Sequence, residues 1–172
     1  IKSLLFKKTY MKFHFLTLLS ILTLSLSAQN TVPDINIQTL KGQSVNLQDY
    51  ANNGKITVIS FWATWCSPCK KELDAIADLY PEWQEEYDAE LLAITIDTQR
   101  ALAKVPGIVT SKGWEYEILS DKNQILQTAM NFQTVPQTFI LDKEGNIVYD
   151  HAGYTPGDEY EIEDKLIELS EK

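Results

Sequence analysis

The sequence predicts a single α/β domain: a mixed β-sheet with helices on both faces and an N-terminal β-hairpin. Three observations carry this. Ile56–Phe61 and Leu91–Ile96 are nearly continuous apolar runs rich in β-branched residues, as expected of strands buried on both faces. A long amphipathic segment separates them and requires a parallel crossover. Two short apolar runs flank Lys143-Glu144-Gly145-Asn146 and read as an antiparallel hairpin.

The first 28 residues differ in kind. Met11 and Lys12 precede a run from Phe13 to Leu26 without acidic residues, then the small residues Ser25, Ser27 and Ala28. This is the pattern of a secretory signal peptide, with cleavage expected after Ala28 and residues 1–10 upstream of the natural start. The alternative is an uncleaved anchor, but the run is shorter than the roughly 17–25 residues a spanning helix needs. No Cys follows it, which argues against a lipid anchor. Residues 29–172 then form the mature domain, in a periplasmic or otherwise extracytoplasmic setting.

The 172-residue chain carries 15 basic and 24 acidic residues. Cleavage would remove four lysines and no acid, leaving 11 basic residues and a net charge of −13. Such a surface repels phosphate, so nucleic acid is not an expected partner.

Along the mature chain, Val32–Leu47 alternates apolar and polar residues around Lys41-Gly42-Gln43 and predicts a hairpin. Between the two central strands, Pro68–Tyr87 predicts a helix with the buried stripe Cys69, Leu73, Ile76, Tyr80 and Trp83. Pro81 should kink or break it. A helix over Gln99–Ser111 should be broken or short because of Pro106-Gly107. A strand near Trp114–Leu119 and a short helix over Lys122–Asn131 follow. The hairpin strands Thr138–Leu141 and Ile147–Tyr149 and a helix over Gly157–Ser170 complete the chain.

Cys66 and Cys69 are the only cysteines. A purely structural disulfide would close so short a loop that the entropy model gives it only about 2 kcal/mol. A zinc site wants four ligands, and the mature chain offers one histidine, His151, and no second cysteine pair. No metal and no cofactor are expected. Redox chemistry fits the local pattern better. The pair follows a buried strand and opens a helix, and Pro68 suits the first helical turn because it has no N–H to waste there. Cys66 would then face unpaired N–H groups and the positive end of the helix dipole, both of which favour a thiolate. Cys69, one turn on and facing inward, would resolve the mixed disulfide.

Phe61-Trp62-Ala63-Thr64-Trp65-Cys66-Ser67-Pro68-Cys69 resembles the active-site segment of the thioredoxin superfamily, and Val135-Pro136-Gln137-Thr138-Phe139 resembles its cis-proline segment. The signal sequence, the N-terminal hairpin and Cys69-Lys70-Lys71-Glu72 are most similar to the TlpA/ResA group of extracytoplasmic thiol–disulfide oxidoreductases. The resemblance spans roughly residues 32–170.

It implies a thioredoxin-like fold and a role for each site residue. Trp65 would flank the disulfide and join a docking surface; otherwise it is a core aromatic. Pro136 would be cis and face the disulfide, although only about 5–6% of X–Pro bonds in folded proteins are cis. The backbone of Val135 would pair with the substrate chain as an added strand. Glu72 would be a buried proton carrier for Cys69; otherwise it is a solvated helix residue paired with a lysine. The chain departs from thioredoxin itself at Ser60, where that protein has a buried Asp, and from many relatives at Asp74, where their helix has a proline.

The expected function is an extracytoplasmic thiol–disulfide oxidoreductase that reduces disulfides in secreted or membrane-facing proteins. A membrane thiol carrier would supply electrons, since no nicotinamide or flavin motif is present. The resemblance makes apocytochrome cysteines a candidate substrate in cytochrome c biogenesis, and we expect a monomer. One alternative is a peroxiredoxin-like peroxidase, suggested by Thr64 shortly before Cys66. Another is a redox-inactive binding module.

Overall fold

The computed structural model describes residues 30–172. The proposed signal peptide lies outside the described residues, and no described helix is long and apolar enough to cross a membrane.

The two apolar runs are central strands. β3 (Ile56–Trp62) is buried at every position, and β4 (Ala89–Thr95) pairs with it in parallel. β5 (Glu117–Ser120) continues the parallel set beyond β4. The hairpin of β1 (Asn36–Thr39) and β2 (Ser44–Asn46) adds antiparallel to β5, with Ile37 opposite Val45. On the other side of β3 lie β6 (Gln137–Leu141) and β7 (Ile147–Ala152), both antiparallel. The seven-stranded order is β2-β1-β5-β4-β3-β6-β7.

The long helix α2 (Ser67–Tyr87) buries all five residues of the expected stripe, and Glu72 with them. It packs with the C-terminal helix α6 (Asp158–Ser170) on one face of the sheet, where Trp83 Nε1 donates to Glu163 Oε1 at 3.0 Å. A kink or break is expected at Pro81; the helix does not break there, and α2 is continuous through that position. Pro81 is exposed, and Tyr80 and Trp83 on either side of it are buried. Their burial offsets the roughly 3 kcal/mol cost of an internal proline. On the opposite face, Phe61 and Phe139 pack against Phe132, just beyond α5 (Ile125–Ala129).

Three boundaries differ from the sequence-based expectation. Leu47 does not extend β2: Asn46 Oδ1 accepts from Gln48 N at 2.9 Å and caps a short helix, α1 (Leu47–Ala51). The segment 99–111 is broken, as expected, into α3 (Gln99–Leu102) and α4 (Val105–Lys112), with Pro106 in the first turn of the second. Trp114 and Tyr116 are buried outside any strand, because Trp114 Nε1 donates to Asp74 and Tyr116 Oη donates to Leu73 O on α2. The helix expected from Lys122 starts at Ile125, where Asp121 accepts from the N–H groups of Ile125 and Gln127.

Candidate active site

The C-terminal end of β3 runs through Ala63, Thr64 and Trp65 into α2, and Cys66 is the N-cap residue, with extended backbone (φ −87°, ψ 104°). Its Sγ accepts from Cys69 N at 3.2 Å, so one of the free N–H groups at the helix start points at that sulfur. Pro68 occupies the first turn and is exposed. Cys66 and Cys69 are joined by a disulfide, with Cα atoms 5.4 Å apart. Both residues are buried, but Cys66 keeps 4% exposure whereas Cys69 has none, so only Cys66 retains any access to solvent.

The Val135–Pro136 peptide bond is cis, and Val135 O lies 3.7 Å from Cys66 Sγ. Loop and disulfide therefore meet across 69 residues of sequence. Trp65 is 69% exposed beside Cys66, which sets aside a core role for its ring.

Glu72 is wholly buried below the cysteines. Ser60 Oγ donates to its Oε2 at 3.1 Å and Thr138 Oγ1 to its Oε1 at 2.9 Å, from register partners on β3 and β6. Where thioredoxin has its buried Asp, this strand offers a hydroxyl, and the carboxyl comes from the helix instead. Burial pushes Glu72 up to about 7, against the two hydroxyl bonds and the field of His151, which pull it down, while Asp158 adds to the rise. It is not the solvated partner of a lysine. Asp74 pairs with Lys112 and accepts from Trp114 Nε1 at 3.0 Å, tying α2 to α4 and the segment after it.

Two contributors lay outside the sequence reading. Asp97, just past β4, is 1% exposed and accepts from Thr64 N at 2.8 Å, Thr64 Oγ1 at 2.9 Å and Thr95 Oγ1 at 2.7 Å. It fixes the loop that leads into Cys66, and Lys70 Nζ donates to Thr64 O at 3.0 Å from the other side. The second is Thr138. The signal in both cases was a polar residue within or at the end of an apolar strand run. Among the described residues no group of His, Cys, Asp and Glu is arranged to hold a metal ion.

The chain matches the model of the AhpC/TSA family over residues 28–150. It is 31% identical over 118 residues to the thiol-disulfide oxidoreductase ResA of Geobacillus kaustophilus, covering 69% of this chain and 65% of that one. It is 33% identical over 124 residues to the thioredoxin-like protein YneN of Bacillus subtilis, covering 70% and 69%. The match thus spans just under two thirds of the length of that ResA relative. Among solved structures, a thioredoxin-like protein from Porphyromonas gingivalis aligns at 41% identity and a TM-score of 0.73, over 81% of this chain and 92% of that chain. The fold is thioredoxin-like, and the chain belongs to the AhpC/TSA family, with ResA-type proteins among its relatives.

Proposed function

We propose that this protein is a thiol–disulfide oxidoreductase that cycles Cys66 and Cys69 between dithiol and disulfide. The observation that carries the reading is the disulfide pair at the start of α2, where Cys66 alone keeps a trace of exposure and Cys69 shares the buried face of the helix with a carboxyl. In the reduced protein, Cys66 attacks a substrate disulfide, and Cys69 then resolves the mixed disulfide. Glu72 takes or returns the proton of Cys69, and the edge at Val135 receives the substrate backbone. Trp65 supplies exposed apolar contact area beside Cys66. The relatives named thiol-disulfide oxidoreductases support protein disulfides as the substrate class.

The finer reading is an exported reductase: residues 1–28 a cleaved signal, residues 29–172 a monomeric domain, and a membrane thiol carrier as electron source. Apocytochrome cysteines fit as substrate. The peroxidase reading gains nothing from Thr64, whose hydroxyl is committed to Asp97 rather than to Cys66.

Equilibrating the protein with thiol–disulfide buffers of graded potential tests the core of this. A single two-electron transition, abolished in Cys66→Ser, is expected. A pair that stays oxidised under every buffer that reduces ordinary catalytic disulfides would make it structural and end the proposal. Consumption of peroxide by the reduced protein at a rate exceeding disulfide exchange would replace it with the peroxidase.

A further inference from the structure

Glu72 has no direct contact with solvent. Its side chain is fully buried, and so are Ser60 and Thr138, whose hydroxyls bond it. Any proton it takes or gives must pass a neighbour. Ser60 lies on β3, walled by β4 and β6. Thr138 lies on β6, and the next strand outward, β7, is the edge of the sheet.

The residue opposite Thr138 on β7 is His151. Directly opposed residues of an antiparallel ladder send their side chains to the same face, with Cβ atoms about 4.5–5.5 Å apart. His151 therefore stands beside Thr138 on the face that carries Glu72. The strand's pattern agrees: Ile147, Tyr149 and His151 are half-buried, and Val148, Asp150 and Ala152 are exposed. The imidazole reaches the surface, 29% exposed, with Nε2 3.2 Å from Asp158 Oδ2 at the start of α6. Because the carboxylate can only accept, Nε2 carries the hydrogen and Nδ1 is the basic nitrogen of the neutral ring. The Thr138 hydroxyl donates to Glu72 and keeps lone pairs for a donor on the β7 side.

We propose that His151 carries protons between the buried Glu72 carboxyl and solvent. This rests on the reading of Glu72 as the acid–base partner of Cys69. In the resolving step Cys69 gives its proton to the Glu72 carboxylate and attacks Cys66 Sγ. The bond from Cys66 to the substrate sulfur breaks, the Cys66–Cys69 bond forms, and the substrate leaves as a thiolate that takes a proton from water. The proton on Glu72 passes outward by way of Thr138 to His151, and the imidazolium releases it to water. No outside oxidant is needed, and the reverse reaction returns the proton along the same row.

Imidazole is the side chain suited to exchanging protons near neutrality. The charged and titratable groups around it are few. From α6 come Asp158 and Glu161, and Glu159, which Tyr154 Oη bonds at 3.0 Å. From β7 comes Tyr149, stacked 6.3 Å from the ring, and from α2 Glu72 itself. Tyr116 faces Glu72 from the loop before β5. Burial raises all three tyrosines, Tyr154 to about 12, so they stay neutral and do not compete.

The test follows release of the second thionitrobenzoate when the reduced protein reacts with 5,5′-dithiobis(2-nitrobenzoate) in dilute buffer. His151→Gln keeps a donor for Asp158 and removes the exchangeable proton. Its release should be slower by about ten- to a hundredfold. Added imidazole should restore it, whereas the parent should be indifferent to buffer concentration. Glu72→Gln should be slow at every buffer concentration. Parent-like release by His151→Gln in dilute buffer, beside a slow Glu72→Gln, would overturn the role of His151 and leave Glu72's intact. A slow His151→Gln that no buffer restores would make the histidine a structural tie between β7 and α6 and equally overturn the proposal. If Glu72→Gln matches the parent, the Glu72 reading itself fails and takes this one with it. A His151→Gln variant of lowered stability is still decided by the buffer comparison, since imidazole restores a proton path and not a fold.

Discussion

Glu72 lies three residues beyond Cys69 on the buried face of α2, and neither side chain exposes any surface. A carboxyl placed there is a cost to the fold whenever it is ionised. The folded protein holds the Glu72 proton up to about pH 7, whereas the unfolded chain releases it near 4.5. Between those values the folded state binds more protons, so stability falls as pH rises through that window and is level above it. The loss is roughly 3 kcal/mol. Denaturant unfolding of the oxidised protein, in which the cysteines do not titrate, should show this slope in the parent and not in Glu72→Gln. Equal slopes in the two proteins would place the carboxyl in water.

The burial of Glu72 marks the boundary of what the sequence made legible. β3, β4 and the stripe of α2 were readable because they obey a single periodicity, and the cysteine pair because it sits where strand meets helix. Whether Glu72 faced in or out was undecidable locally. Its position borders the stripe, and the deciding partners are hydroxyls 12 and 66 residues away. The same holds for Asp97, whose partner Thr64 is 33 residues distant. Side-chain bonding also moved boundaries: the Asn46 cap, and the Asp121 carboxylate that accepts from Ile125 N and Gln127 N, start helices where apolar pattern alone predicted a strand or an earlier turn.

Gly145 supplies a purely structural prediction. It has φ of +81° in the β6–β7 turn, and a Cβ there would lie 2.5 Å from the carbonyl oxygen of Ala51 at the end of α1. Gly145→Ala therefore suffers both a left-handed backbone and a backbone clash. The variant should lose more than about 1 kcal/mol of unfolding free energy, with the redox potential of the cysteine pair unchanged. Parent-like stability would mean the turn and α1 separate freely.

The position of Cys66 at the helix start predicts unequal thiols in the reduced protein. An alkylating reagent at moderate pH should label Cys66 much faster than Cys69, because only Cys66 combines access with the N–H groups of the first turn. Cys69→Ser should accumulate mixed disulfides with substrate, whereas Cys66→Ser should form none. Equal labelling of both thiols would remove the distinction between attacker and resolver.

Asp97 and Thr64 provide the sharpest test of how the site is held. Asp97 Oδ2 accepts from Thr64 N and Thr95 Oγ1, and Oδ1 accepts from Thr64 Oγ1. Asparagine has one acceptor oxygen; with that oxygen on Thr64 N and Thr95 Oγ1, its NH2 faces Thr64 Oγ1, and that hydroxyl must turn from donor to acceptor. Asp97→Asn should therefore cost about 1–3 kcal/mol in denaturant unfolding, because bonds to a carboxylate give way to weaker bonds to a neutral amide. Thr64→Val removes only the hydroxyl bond and should cost about 1 kcal/mol. Because the two side chains share that bond, the double variant should be less destabilised than the sum of the singles, with a coupling of at least about 0.5 kcal/mol. The loop they pin leads directly into Cys66, so Asp97→Asn should also slow the first exchange step with a protein disulfide. Additive costs together with an unchanged exchange rate would show that the pair holds the strand end and leaves the active-site loop to Lys70.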